Sequence, residues 1–306
     1  MVDTVWGWRL PKGNVGKGRG SRAFVKRLQN STVIHDASYW CPLCIKGIVT
    51  QVLGVFESFI DHLVLSRLYK ALDCLDDQGI EIETTIYEPG KIPLGALGPL
   101  KLLVLPGTGD EVDCVNNFVF CLYLHGSIAQ RSFRLLKQEF LKVQSVHIFV
   151  ADLRRVELVG AGSSKSLLDA LLPVSVYKDL RIKDMEAGEA LQISLIDPRA
   201  LKPVALGTTS MPLLSEPTIA RLASKTPIDI FDKTAAGPIS GIYFDDIRSK
   251  IRKNLTIGMD TAKKLEVEGI QQVVCSAIVI KNPRSSTSWS LVVPSGWMMP
   301  VWMALI

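Results

Sequence analysis

The chain is short of the features that define several large classes of protein. Six cysteines in 306 residues do not make a disulfide scaffold, which favours a reducing compartment, cytosol or nucleus. No apolar run reaches the ~18 residues that a membrane helix needs. The richest, Phe118 to Leu124, is strand-sized. The first residues hold no continuous apolar segment of the kind that opens a secretory leader. Low-complexity tracts are missing, and 47% hydrophobic against 21% charged residues excludes a disordered chain. Acid is scarce at one end. Residues 1–50 carry eight Lys or Arg against two acids, whereas the other 256 residues net −1 of the chain's +5. Such an asymmetry points to an N-terminal segment that faces a polyanion.

Catalytic and metal signatures are missing too. Cys41-x-x-Cys44 is the one C-x-x-C pair; Cys74, Cys114, Cys121 and Cys275 are scattered, and the four histidines have no zinc-finger spacing. A structural zinc needs four ligands, so no metal is expected and the thiols read as buried filler. A redox pair belongs between a strand and a helix, but Ile45, Gly47, Ile48 and Val49 continue apolar and β-rich. No G-x-S-x-G elbow exists, and His35 beside Val33 and Ile34 reads as a hydrogen-bonded core histidine. Asp76-Asp77 and Asp245-Asp246 read as caps or solvated faces. No catalytic residue and no cofactor is assigned.

What is present is a basic, glycine-rich stretch. Residues 9–27 hold four glycines, seven basic residues and no acid. Its spacing Gly13-x-x-Gly16-x-Gly18 is not a dinucleotide fingerprint, since no strand is expected before it and no clear helix after it. A solvated surface loop and a phosphate-binding arm both fit. In the second reading Arg9, Lys12, Lys17, Arg19, Arg22, Lys26 and Arg27 neutralise phosphates, and Trp6, Trp8 and Phe24 either stack on bases or pack. Arg248, Lys250, Arg252 and Lys253 form a second basic cluster. Three of the six tryptophans fall in the last eighteen residues and read as packing.

Periodicity predicts an irregular alternation of strands and helices. Residues 31–49 read as a strand broken at Pro42, and 51–79 as one helix stopped by Gly79. Strands follow at 80–90, 99–107 and 118–126 and a helix at 127–143 with Ile128, Phe133, Leu136 and Phe140 inward. Residues 145–160 read as two strands or a bent one, and 163–174 as a short helix capped by Ser163 or Ser164. Then come a strand at 189–199, a loop-rich stretch at 202–240, a basic helix at 245–255, and strands at 271–281 and 288–297. The expected class is mixed α/β, of the α+β kind. Met1 leads almost directly into Trp6-Gly7-Trp8 and the last residues are apolar, so a chain cut at both ends is expected.

Several short blocks, in order, resemble the large "processing of precursors" subunit of eukaryotic ribonuclease P and ribonuclease MRP. They are Trp6-Gly7-Trp8 with Leu10-Pro11, His35-Asp36-Ala37-Ser38-Tyr39 with Gly47, Pro93, Gly98-Pro99 and Leu124-His125. Asp152-Leu153-Arg154 with Glu157-Leu158 and Gly160, then Asp197-Pro198-Arg199, and finally Trp297 within "SLVVPSGWMMPVWMALI" complete the series. Gly126 and the Gly160-Ala161-Gly162 run depart from the family's pattern. The resemblance implies an RNA-binding scaffold in tRNA 5′-end maturation and ribosomal RNA processing. The RNA would do the catalysis, and the partners would be ribonuclease P/MRP RNA and other protein subunits, in the nucleus and nucleolus, with no membrane. His35, Asp36, Ser38, Tyr39, Asp152, Arg154, Asp197, Arg199 and Trp297 would be family markers that hold the fold. The resemblance also implies a remote likeness to the folate-binding aminomethyltransferase fold. A folate-dependent enzyme and a non-functional partial paralogue are therefore the alternatives. The expected organisation is a basic arm at 1–30, a main domain at 31–285 with a break near 202–240, and the start of a further domain at 286–306.

Overall fold

The computed structural model describes residues 2–11, 20–73, 78–106, 117–143, 146–171, 182, 184–196 and 274–306. Lys12, Lys17, Arg19, Cys74, Asp76-Asp77, Cys114, Asp197-Pro198-Arg199, the stretch 202–240, and Asp245-Asp246, Arg248, Lys250, Arg252 and Lys253 lie outside the described residues.

The chain opens with a hairpin of β1 (Val2–Val5) and β2 (Trp8–Pro11). Its two-residue loop is Trp6-Gly7, both at positive φ (55° and 82°), the backbone of a primed turn whose twist matches a hairpin. Helix α1 (Ser21–Asn30) follows. The glycine run is thus flanked by a strand and a helix, contrary to the expectation. The strand belongs to a two-stranded antiparallel hairpin and not to a parallel βαβ unit, so a dinucleotide fingerprint is still not formed.

The ten other strands among the described residues make one sheet. They are β3 (Val33–Asp36), β4 (Cys41–Ile48), β5 (Gly79–Tyr87), β6 (Ala96–Pro106), β7 (Asn117–Leu124), β8 (His147–Val150), β9 (Leu153–Val159), β10 (Glu189–Ile196), β11 (Val274–Lys281) and β12 (Ser288–Pro294). Their order is β3-β9-β12-β11-β10-β5-β6-β7-β4-β8, and every described pairing is antiparallel. The fold is mixed α/β, as the sequence predicts.

This order forces the sheet to curl. In a flat sheet β8 and β9 would lie roughly 38 Å apart at about 4.8 Å per strand. Only Ala151 and Asp152 join them, and residues 37–40 alone join β3 to β4 at the opposite ends. Each residue of chain reaches about 3.5 Å, so the ends must meet. They do: Lys101 Nζ on β6 reaches Glu157 Oε1 on β9 at 2.6 Å, although β12, β11, β10 and β5 lie between them in the sheet order.

Alternation along the strands divides the core in three. On the outer face, β4 to β7 pack against α2 (Val49–Phe56), α3 (His62–Leu72) and α4 (Ala129–Phe140) through Phe56, Leu68, Phe120, Leu136 and Phe140. The other outer half, β9 to β12, is covered by α5 (Ser163–Leu171) and α6 (Met298–Leu305) through Leu167, Trp289, Trp297 and Val301. The inner face holds Trp40, Cys44, Leu103, Cys121, Tyr123, Ile278 and Val292.

Several expectations need correction. The strand break falls at 37–40, where Asp36 Oδ1 accepts the Ser38 N–H at 3.0 Å, and not at Pro42. Pro42 is tolerated inside β4 because its nitrogen faces β8 just past the last pair, Leu43↔Val150. The single helix over 51–79 is two. Asp61 starts the second by accepting the Leu63 N–H at 2.8 Å, and Gly79 begins β5. Ser163 and Ser164 lie inside α5. Their hydroxyls reach β12 and the turn before it, donating to the Thr287 carbonyl and accepting the Trp289 indole N–H. Residues 288–294 form an interior strand between β9 and β11, and α6 buries Pro300, Val301 and Leu305 on the same sheet.

Replacing Asp61 by alanine removes the cap of α3 and should cost about 1 kcal/mol, read as a lower urea midpoint at unchanged slope.

Candidate nucleic-acid interface and the charged centre beneath it

Of the sequence-predicted RNA-binding residues, Trp6, Trp8, Arg9, Arg22, Lys26 and Arg27 lie among the described residues. Arg9 is exposed on β2, and Trp8 pairs with Val5 at the base of the hairpin turn. Arg22, Lys26 and Arg27 are exposed on α1, a helix without an acidic residue, together with the half-exposed Phe24 and Val25. Helix α1 is fastened to the sheet through backbone. The Ala161 N–H donates to the Leu28 carbonyl at 2.8 Å and the Gly162 N–H to that of Ser31 at 3.3 Å. Gly160 permits this: its φ is +119°, and a Cβ there would collide with the Ser31 and Leu28 carbonyls.

The hairpin is fastened by Trp6. Its ring lies 4.4 Å from that of His125, edge on, and 5.9 Å from Tyr39. Trp40 and Tyr39 stand 5.2 and 5.4 Å from His125, and His35 stands 5.6 Å from Tyr39. Five aromatic or imidazole rings from the hairpin turn, β3, the turn after it and the end of β7 thus meet at one edge of the curl. Burial lowers the pKa of His125, and its Nδ1 accepts the Ser127 N–H at 3.3 Å, so the neutral ring carries its proton on Nε2. Tyr39 is raised, chiefly by burial and then by Glu157. Gly126 leaves room for Trp6, since a Cβ there would stand 3.1 Å from the Tyr39 carbonyl oxygen and 3.4 Å from Trp6 Cβ.

Beneath these rings the inner face carries a chain of charges. His35 Nδ1 lies 3.1 Å from Glu157 Oε2, and Lys101 Nζ donates to Glu157 Oε1 at 2.6 Å. Lys101 also lies 3.5 Å from Glu83, which accepts from Arg284 Nε at 2.6 Å. Arg155 grips Glu81 with both terminal nitrogens, one at 2.9 Å, and donates to Ser290 Oγ at 2.7 Å. Its Nε lies 3.5 Å from Glu157, and its guanidinium lies 5.2 Å from the Tyr123 ring. Burial works against the Arg155 charge, but Glu81 more than offsets it and holds the group firmly protonated. Burial likewise opposes ionisation of Glu157. The His35 hydrogen bond and the nearby Lys101 and Arg155 overcome it, leaving the carboxyl far below the usual range. Tyr123, wholly buried, is raised well above its usual value by burial first and Cys121 next.

Ser38 is buried, and Asp152 accepts from Ser295 Oγ at 2.6 Å and lies 3.8 Å from Arg154, tying the β8–β9 link to the turn before α6. Trp297 is buried at the start of α6. His35 departs from the expectation of a core residue, since 45% of its side chain is exposed. Cys41 and Cys44, three apart on a strand, leave opposite faces, so they do not form a shared site. The neighbour of Cys44 is Cys121, its register partner on β7, at 3.1 Å between sulfurs. Among the described residues no three His, Cys, Asp or Glu side chains gather as a metal site, and no helix is long and apolar enough to cross a membrane.

No protein-family model matches the chain. It is distantly similar to the ribonucleases P/MRP protein subunit POP1 of Arabidopsis thaliana, 20% identical over 373 aligned positions that take in 100% of this chain and 45% of that protein. The chain thus spans about half the length of the curated relative it matches. Among solved structures, the glycine cleavage system aminomethyltransferase T from Bartonella henselae aligns at a TM-score of 0.39 and 14% identity, over 56% of this chain and 39% of that one.

Two outcomes follow from the charged centre. Arg155→Leu strands the Glu81 carboxylate in the core and should lower stability by about 3–5 kcal/mol in urea unfolding, whereas the double variant Glu81→Leu/Arg155→Leu should recover most of it. Glu157 has a folded pKa below its unfolded value. Its stabilisation is therefore complete above about pH 4.5 and is lost as pH falls from there toward the folded value. Glu157→Gln should flatten the acid limb of a stability-against-pH profile and lower stability at pH 7.

Proposed function

We propose that this chain is an RNA-binding scaffold subunit of a ribonuclease P/MRP-type ribonucleoprotein. It serves tRNA 5′-end maturation and ribosomal RNA processing in the nucleus and nucleolus, beside other protein subunits, and the RNA supplies the phosphodiester chemistry. The observation that carries this reading is α1. It is an acid-free helix with Arg22, Lys26 and Arg27 exposed, it continues the acid-free stretch 9–27, and backbone hydrogen bonds hold it against the end of β9. A phosphate backbone is the ligand such a surface suits, because each neutralised phosphate releases counterions. The similarity to POP1 along the whole chain supports the same reading. Lys12, Lys17, Arg19, Arg248, Lys250, Arg252 and Lys253 would contact phosphates as well. The folate-dependent alternative calls for a poised buried acid. Glu81 is buried, but Arg155 engages both of its oxygens.

Replacing Arg22, Lys26 and Arg27 by glutamate should weaken binding of a structured RNA. The slope of log affinity against log salt should become shallower by roughly 0.7–0.9 for each phosphate that is no longer neutralised. Unchanged affinity and slope in filter binding would sink the proposal.

A further inference from the structure

Trp6 occupies an unfavourable place. The first loop position of a primed hairpin turn needs φ > 0, which Asn, Asp or Gly adopt at little cost and a bulky side chain does not. Trp6 is the one non-glycine residue at positive φ among the described residues. Burial does not account for it, because 46% of the residue stays exposed. Its ring rests against His125 and Tyr39, and Tyr39 is itself partly exposed. Residues held in sparsely populated backbone conformations concentrate at ligand sites.

The surroundings narrow the ligand. His35 is exposed at the rim, two places from the Ala37–Trp40 turn, and the Glu157 carboxylate lies behind it. A carboxylate beside an aromatic surface disfavours phosphate and suits a planar ring whose edge carries hydrogen-bond donors. The basic helix is close as well. Only β3, four residues or about 13 Å of strand, separates the residues at the anchored end of α1 from this turn.

We propose that Trp6, Tyr39 and His125 form a stacking platform for one unpaired nucleobase of RNA, with His35 at the base edge. This rests on the RNA-binding reading above and adds to it a site that distinguishes unpaired from paired RNA. Base stacking on a protein ring tolerates any sequence but requires a base released from its helix.

The test compares a fluorescein-labelled single-stranded RNA of about 12 nucleotides with the blunt duplex of the same sequence, by anisotropy on the full chain. Trp6→Ala and Tyr39→Ala should each weaken single-strand binding about tenfold and leave duplex binding within about twofold. Trp6→Phe and Trp6→Leu both keep an apolar anchor for the hairpin, but only phenylalanine keeps a ring. Phe should therefore restore single-strand affinity and Leu should not. Equal affinities for the Phe and Leu variants, or equal losses on both RNAs, would overturn the platform. The α1 charge-reversal variant separates the two ideas. If it weakens both RNAs while the Trp6 variants change neither, the platform fails and the scaffold reading stands. If it changes neither RNA, the scaffold reading itself fails.

Discussion

The grip of Arg155 on Glu81 is the interaction on which the rest of the molecule depends. These residues lie on β9 and β5, with β12, β11 and β10 between them in the sheet order. They meet only because the sheet curls, and the curl in turn encloses two charges that would be costly to bury apart. Both side chains are almost wholly buried. Ser290 on β12 takes another Arg155 hydrogen bond, so three strands are tied at one guanidinium. Short links at 37–40 and 151–152 require the ends of the sheet to meet, and the ion pair specifies how the inner faces oppose.

The same charges set the surface. Glu157, two residues along β9, is held ionised by His35, Lys101 and Arg155, and so positions His35 at the mouth of the curl. Lys101 Nζ lies 5.2 Å from the Trp40 ring, which in turn lies against His125. Ordering thus passes from a buried ion pair through a half-buried carboxylate to the rings that receive the hairpin. Helix α1 is placed independently, through Gly160 and the backbone beside it. Two N-terminal pieces, one aromatic and one basic, are in this way mounted on the two ends of β3.

Much of this was legible in the sequence, and the failures have physical causes. Apolar alternation located β5 to β11 because each strand has a buried face to declare. The break between α2 and α3 was hidden, since Phe56, Phe59 and Ile60 keep the apolar pattern going through the turn and only Asp61 marks the cap. The hairpin was missed because Trp6-Gly7 lacks the usual Asn-Gly signal, and α1 because its ten residues are mostly polar. His35, Tyr39, Trp6, His125 and Glu157 all stood out within the blocks of the resemblance, but not as neighbours of one another. Lys101 inside "PLKLLVLPG" and the paired Glu81 and Glu83 of "IEIETT" did carry a signal: a charge on the inner face of an otherwise apolar strand needs an opposite charge. What periodicity along one strand does not encode is which distant strand supplies it.

The whole reading comes down to whether RNA lies along the N-terminal face. Ultraviolet crosslinking of the full chain to a structured RNA, followed by mass spectrometry of the crosslinked peptides, tests this directly. The account predicts crosslinks concentrated in residues 2–40, around the hairpin, α1 and the Ala37–Trp40 turn. Crosslinks confined to the α2–α4 face of the sheet, or none at all, would contradict it.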